Sequence, residues 1–329
     1  MPIDGWMSQA FPILFITATR IGDAVLSSGL IKRLVDEIPQ ARFTVVAGPD
    51  AAPLFAHVPG LTRVIVFEKA KSGAHWFELW RQVRHTRWGL IVDLRGSGIS
   101  RFLSTRRRAI RRKSLSPIHK VLEAARILRI EDEPAAPHLF TSPEIEAHAE
   151  ALTTGPGPIL ALAPAANWIG KTWPAERFSQ LANRLLRDDG SMAGGRLMVL
   201  GGPGDETLAR SLRDVAQHRF IDLAGKVDLL TAFACLKRAR LFIGNDSGAM
   251  HLAAASGCPT LGLFGPSDER LYAPWGPQAR ALRGPRGFEQ IRAVDPGFTQ
   301  ELCHMMDLTV AQVTAAAIDL LNAMDPAHA

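Results

Sequence analysis

Three stretches of the sequence hold residue types and spacings suited to acid–base and anion chemistry. The first is Arg20-Ile21-Gly22-Asp23, which follows the apolar run at residues 12–17 (PILFIT). A carboxylate there sits at the start of a helix, at the C-terminal end of a strand. In open α/β sheets that edge is where ligands bind, although plain helix capping accounts for the same position. The second is Asn245-Asp246-Ser247-Gly248 with His251, set between apolar runs at 241–243 and 260–264. The three polar residues are good N-caps, and the free N–H groups and dipole of the helix they open favour an anion. Asp246, a carboxylate beside an anion site, then needs a different role, either holding a ribose hydroxyl or fixing the loop. The third is Lys171 in APAANWIGKTWP (163–174), where a lysine on a sheet-edge loop reaches a phosphate as a flexible point charge. Its plain alternative is a solvated surface lysine. Gly202, in the tight turn GGPGDE (201–206), lets a ligand approach the backbone closely.

The elements that must position these residues are legible as a rhythm. Strands are expected at 12–17, 43–47, 64–67 and 90–94, with helices at 24–38 and 74–86. A second series has strands at 159–163, 197–201, 220–223, 241–243 and 260–264. Strand alternating with helix predicts α/β domains with parallel, doubly wound sheets. Residues 133–158, with five prolines, read as the linker between them. The segment 309–324 predicts an amphipathic helix, opened by a Thr309/Gln312 capping box. Gly96-Ser97-Gly98 lacks the third glycine of a dinucleotide fingerprint and follows the fourth strand, which argues against a nicotinamide site. A mobile acceptor-side loop is expected there instead.

At 329 residues the chain suits two domains, and 47% hydrophobic with 21% charged residues is the composition of a globular enzyme. The formal charge of +6 is uneven, because Arg101, Arg106, Arg107, Arg108, Arg111, Arg112, Lys113 and Lys120 crowd together. Such a patch suits anionic headgroups, a phosphorylated acceptor or nucleic acid. The three cysteines have no metal spacing and fit a reducing cytosol. The acidic run 131–133 borders the linker, and His57, His75, His85 and His119 have no ligand spacing; no metal is expected. No stretch is apolar enough to span a bilayer, and the opening MPIDGWMSQAF lacks the features of a signal peptide.

The run GNDSGAMHLAAASGCPTLGLFGPSDERLYAPWG (244–276) resembles the signature of glycosyltransferase family 9, the ADP-heptose:lipopolysaccharide heptosyltransferases. IGDAVLSSGL (21–30) resembles the family's first block, and KTWP (171–174) its lysine block. The resemblance implies a GT-B fold, two Rossmann-like doubly wound domains facing each other across a cleft. An acceptor-binding domain is then expected over 1–150, a nucleotide-sugar-binding domain over 151–308, and a terminal helix (309–329) crossing back. It implies inverting, metal-independent transfer of a sugar, heptose from an ADP-heptose-like donor, to a lipopolysaccharide core or related glycolipid. No cofactor is implied, since the nucleotide-sugar is a substrate.

In that scheme Asp23 is the catalytic base and Lys171 meets the donor phosphates. Gly202 lines the nucleotide base, while Asp246, Ser247, Gly248 and His251 complete the donor site. Arg20, Arg101, Arg107 and Arg111 are acceptor-binding candidates. The sequence departs from the family at Ala165 and Ala166, where hydroxyl residues are common; backbone N–H groups remain to replace them. A cytoplasmic protein that visits the inner face of the inner membrane is expected, without a nucleic-acid partner. A nucleotide-sugar epimerase of GT-B fold and a non-catalytic nucleotide-sugar-binding protein are the alternatives.

Overall fold

The computed structural model describes residues 10–68, 73–112, 116–298 and 301–324; Lys113 of the basic run falls outside them. The chain divides into two compact units, residues 1–141 and 142–329.

The first unit holds strands β1 (Phe11–Ile16), β2 (Ala41–Ala47), β3 (Leu61–Val66), β4 (Trp88–Asp93) and β5 (Thr105–Ile110). They form one sheet in the order β3-β2-β1-β4-β5, and every pairing is parallel. The apolar runs lie at the centre: β4 is buried along its whole length, as parallel sheets covered on both faces require. Residues 105–110, to which the sequence reading assigned no element, form the edge strand β5, whose three consecutive arginines are exposed. Charged edges of this kind also discourage pairing with another chain.

One long helix was expected after β1, and two form, Ile21–Ser27 and Gly29–Glu37. The break falls at Ser27-Ser28-Gly29, a serine–glycine sequence of the sort that bends helices. The Ser28 hydroxyl bonds Val25 O at 2.7 Å and accepts His138 N–H at 2.9 Å. A Cβ on Gly29 would lie 2.3 Å from Ala136 O and 2.4 Å from Ala135 O. Residues 135–138, expected in the linker, are thus docked on this bend. Gly29→Ala gains helix propensity but drives a methyl into backbone that cannot swing away. It is expected to destabilise the protein by about 1–3 kcal/mol, read as a lowered urea midpoint.

The second unit opens with another departure from the expected linker. Ser142 caps a helix, Pro143–Thr153, whose proline stands in the first turn, where it starts a helix and does not break it. Glu146 on this helix pairs with Lys237 and Arg238, and the helix packs along Leu229–Leu236. Its residues belong to the second unit, which sets the boundary before the expected position 150.

The strands are β6 (Ile159–Ala163), β7 (Arg196–Val199), β8 (Phe220–Asp222), β9 (Leu241–Asn245), β10 (Thr260–Phe264) and β11 (Ala279–Arg283). They are ordered β11-β10-β9-β6-β7-β8 and all parallel. The order reverses between β6 and β9, the switch point where doubly wound sheets hold ligands. Thr309 and Gln312 make the expected capping box, opening the helix Val310–Asn322. This helix buries Val313, Ala317 and Leu320 in the core of the second unit, to which it belongs.

Among the described residues, no helix is long and apolar enough to cross a membrane.

Candidate active site

In the first unit Arg20 is the extended N-cap residue of Ile21–Ser27, and this places Asp23 in the first helical turn just beyond β1. The helix Lys120–Leu128 packs beside it. Its first turn carries Lys120 and Glu123, and Arg111 follows β5, held by its N–H to Asp93 O at 2.8 Å. Glu123 binds both cations, Lys120 Nζ at 2.7 Å and Arg111 Nη2 at 2.8 Å. Burial pushes the Glu123 carboxyl up, but Lys120 and Arg111 outweigh it and hold the group below its ordinary value.

Asp23 goes the other way. Burial lifts its carboxyl above the ordinary aspartate value, against the pull of Lys120, Arg20 and Arg111 and with a push from Glu123. A carboxylate with raised proton affinity is better matched to general-base work near neutral pH. Glu123 escaped the sequence reading; its signal was the i,i+3 spacing to Lys120.

The acceptor candidates therefore separate. Arg20 and Arg111 face Asp23, whereas Arg107 lies four residues back along β5, about 13 Å at strand rise. Arg101 stands in the 3₁₀ turn Ile99–Arg101 and is exposed. Nor does the loop after β4 hang free. The buried Asp93 carboxylate accepts Arg95 N–H and Ser97 N–H, both at 2.9 Å, and the Ser97 hydroxyl at 2.5 Å.

In the second unit Asn245 ends β9 fully buried. Its side chain donates to Pro164 O at 2.7 Å and accepts Trp173 N–H at 3.0 Å, bracketing the Lys171 loop at both ends. Trp173, also fully buried, donates Nε1–H to Leu308 O at 2.8 Å. His304 N–H bonds Gly170 O at 3.2 Å and Cys303 Sγ–H bonds Thr172 O at 3.1 Å, so residues 303–308 strap the loop down. Asn245→Ala leaves a buried N–H and carbonyl unsatisfied, about 1–3 kcal/mol each. It should lower the melting temperature.

Held in this way, Lys171 Nζ lies 2.6 Å from Asp246 Oδ2. This ion pair ties Asp246 to the loop. Ser247 is the N-cap of the helix Gly248–Ala255, but its side chain makes no capping bond. Its Oγ is buried and has no hydrogen-bond partner among the described residues, an unsatisfied hydroxyl at that terminus. Gly262 lets the helix lie close on β10, since a Cβ there would meet Met250 Sδ at 2.3 Å. His251 is buried in the same helix. Gly202, at the end of β7, gives its N–H to Asp205 Oδ2 at 2.8 Å. Lysine, serine hydroxyl and helix N-terminus meet at the β6/β9 switch point, an arrangement suited to a diphosphate. Among the described residues no group of three or more His, Cys, Asp or Glu is placed to hold a metal ion.

The family model of glycosyltransferase family 9 (heptosyltransferase) matches residues 87–293, more than half of the chain. The chain belongs to glycosyltransferase family 9. It is 25% identical over 311 residues to lipooligosaccharide heptosyltransferase 2 of Haemophilus ducreyi, covering 82% of this chain and 88% of that one. Escherichia coli ADP-heptose LPS heptosyltransferase II superposes with a TM-score of 0.74 at 22% identity, over 95% of this chain and 99% of that one. A family 9 glycosyltransferase from Veillonella parvula gives a TM-score of 0.77 at 20% identity, over 95% and 97%. The fold of this family 9 glycosyltransferase is accordingly GT-B. The matched residues include Lys171, Gly202, Asp246, Ser247, Gly248 and His251; Asp23 precedes them.

Proposed function

We propose that this family 9 glycosyltransferase moves heptose from an ADP-heptose-like donor to the lipopolysaccharide core or a related glycolipid, with inversion and without a metal. Asp23 takes the proton of the acceptor hydroxyl as its oxygen bonds to the anomeric carbon. The bond from that carbon to the phosphate oxygen breaks on the opposite face, and the nucleoside diphosphate departs with the electron pair. Lys171, the Ser247 hydroxyl and the N–H groups opening Gly248–Ala255 receive the growing negative charge, as a metal does elsewhere. The observation that carries the reading is this cationic and hydrogen-bonding cradle at the β6/β9 switch point. The similarity to heptosyltransferases supports the choice of sugar.

The test begins with calorimetric titration against ADP, UDP, GDP and NAD in the presence of a chelator. Preferential ADP binding is expected, followed by transfer from ADP-heptose to a delipidated core acceptor with inverted anomeric configuration. Preference for UDP or GDP discards heptose, turnover that vanishes with chelator discards metal independence, and donor conversion without any acceptor indicates an epimerase.

A further inference from the structure

The helix Ala74–Val83 in the first unit has two stripes. Leu79 and Val83 enter the core, with Trp76 and Trp80 packed at its margin. Outward, Phe77 is 66% exposed and stacks on Trp80 with ring centroids 5.9 Å apart. The Arg84 guanidinium lies 4.6 Å from the centroid of the Trp80 ring. Arg81, four residues after Phe77, shares that stripe.

The turn Ile99–Arg101 covers the same face of the sheet, since Ile99 and Leu103 join Leu79 and Val83 in one core cluster. Between them Phe102 is 80% exposed. Arg108 reaches back to this turn, bonding Ser100 O at 3.0 Å and Leu103 O at 2.5 Å. Arg106, two residues earlier on β5, is exposed on the same side of the strand.

The charge over this region is one-sided. Residues 79–112 contain ten arginines and a single acid, Asp93. That acid is buried and engaged by its own loop. Glu78, the acid of the helix, is paired with Arg81 at 3.1 Å. Guanidinium groups interleaved with protruding aromatic rings match an anionic lipid surface: arginine meets phosphate while the rings enter the headgroup–acyl boundary.

We infer that the face formed by Ala74–Val83, Phe102 and Arg106 docks the protein on an anionic bilayer. This goes beyond the transfer reaction, and vesicle binding is read without turnover.

The experiment is sedimentation of the full-length protein with phosphatidylglycerol/phosphatidylethanolamine vesicles, against pure phosphatidylcholine vesicles. Binding to the anionic vesicles alone is expected, weakening in 0.5 M salt as screening shortens to a few ångströms. Loss of each surface arginine should cost about fivefold, so Arg81→Gln/Arg84→Gln lowers partitioning about 25-fold. Phe77→Ser/Phe102→Ser should lower it about tenfold or more, with ADP binding unchanged. Wild-type protein that ignores anionic vesicles overturns the inference, as do pairs of substitutions that leave partitioning intact. Binding to a single-stranded oligonucleotide with none to vesicles overturns it in favour of nucleic acid.

Discussion

Asp23→Asn is expected to cut turnover by about 10²–10⁴-fold, the range supplied by a positioned base, and to leave ADP binding intact. The same substitution should make the protein more stable at neutral pH. Burial raises the folded carboxyl's proton affinity above that of the unfolded chain, and Lys120, Arg20 and Arg111 offset only part of the rise. A group shifted in this direction contributes stability below its unfolded pKa and loses it as pH climbs through the folded value. Asparagine carries no charge to desolvate, so the variant should melt above the wild type at pH 7. The gap should close as the pH falls toward the ordinary aspartate value. Turnover at the wild-type rate removes Asp23 from the chemistry; equal melting temperatures at pH 7 remove the cost of its burial.

Lys171→Met should have the second largest effect, slowing transfer by about a hundredfold or more and weakening ADP binding. It also strands Asp246, whose side chain is 8% exposed, without its partner. Removing one member of a fully buried pair costs about 3–5 kcal/mol. The loss here is smaller, because Lys171 retains 20% exposure. Combining Lys171→Met with Asp246→Asn should restore most of the stability and none of the affinity. That separation distinguishes a phosphate ligand from a structural ion pair. An unaltered ADP dissociation constant in the single variant takes Lys171 out of the donor site.

The sequence displayed the middle of each sheet and concealed its margins. β6 is apolar throughout and β10 apolar after Thr260, and both are fully buried, so composition alone outlines them. β5 reads TRRRAI and β11 reads ARALR. Each has a neighbour on one side only, and water allows it a polar pattern that resembles loop. The prolines of 133–158 misled for a related reason. Pro143 in the first turn of a helix and Pro134 in a segment docked on the first unit obey different local rules, which composition averages away.

At the active site, Asp23, Lys171 and Ser247 stood out because each closes a strand–loop–helix unit. Glu123 and the bracketing role of Asn245 did not. Their partners lie across the fold, Asn245 reaching Pro164 and Trp173 from 81 and 72 residues away. The basic run split for the same reason: its members follow one another in the chain but part company on an edge strand, Arg111 turning to Asp23 and Arg106 to the outer face.

The strap over the Lys171 loop carries a consequence for biosynthesis. Trp173 and Arg177 both donate to Leu308 O, 135 and 131 residues downstream. The groups that act on the Asp23 carboxyl, Arg20, Arg111, Lys120 and Glu123, all lie at or before residue 123. On a ribosome adding about 5–20 residues per second, the base and its cations can assemble well before Leu308 is made. The Lys171 loop is tied down only once residues 303–308 have been made. A nascent chain therefore completes the cluster around Asp23 before the strap that fixes the Lys171 loop exists.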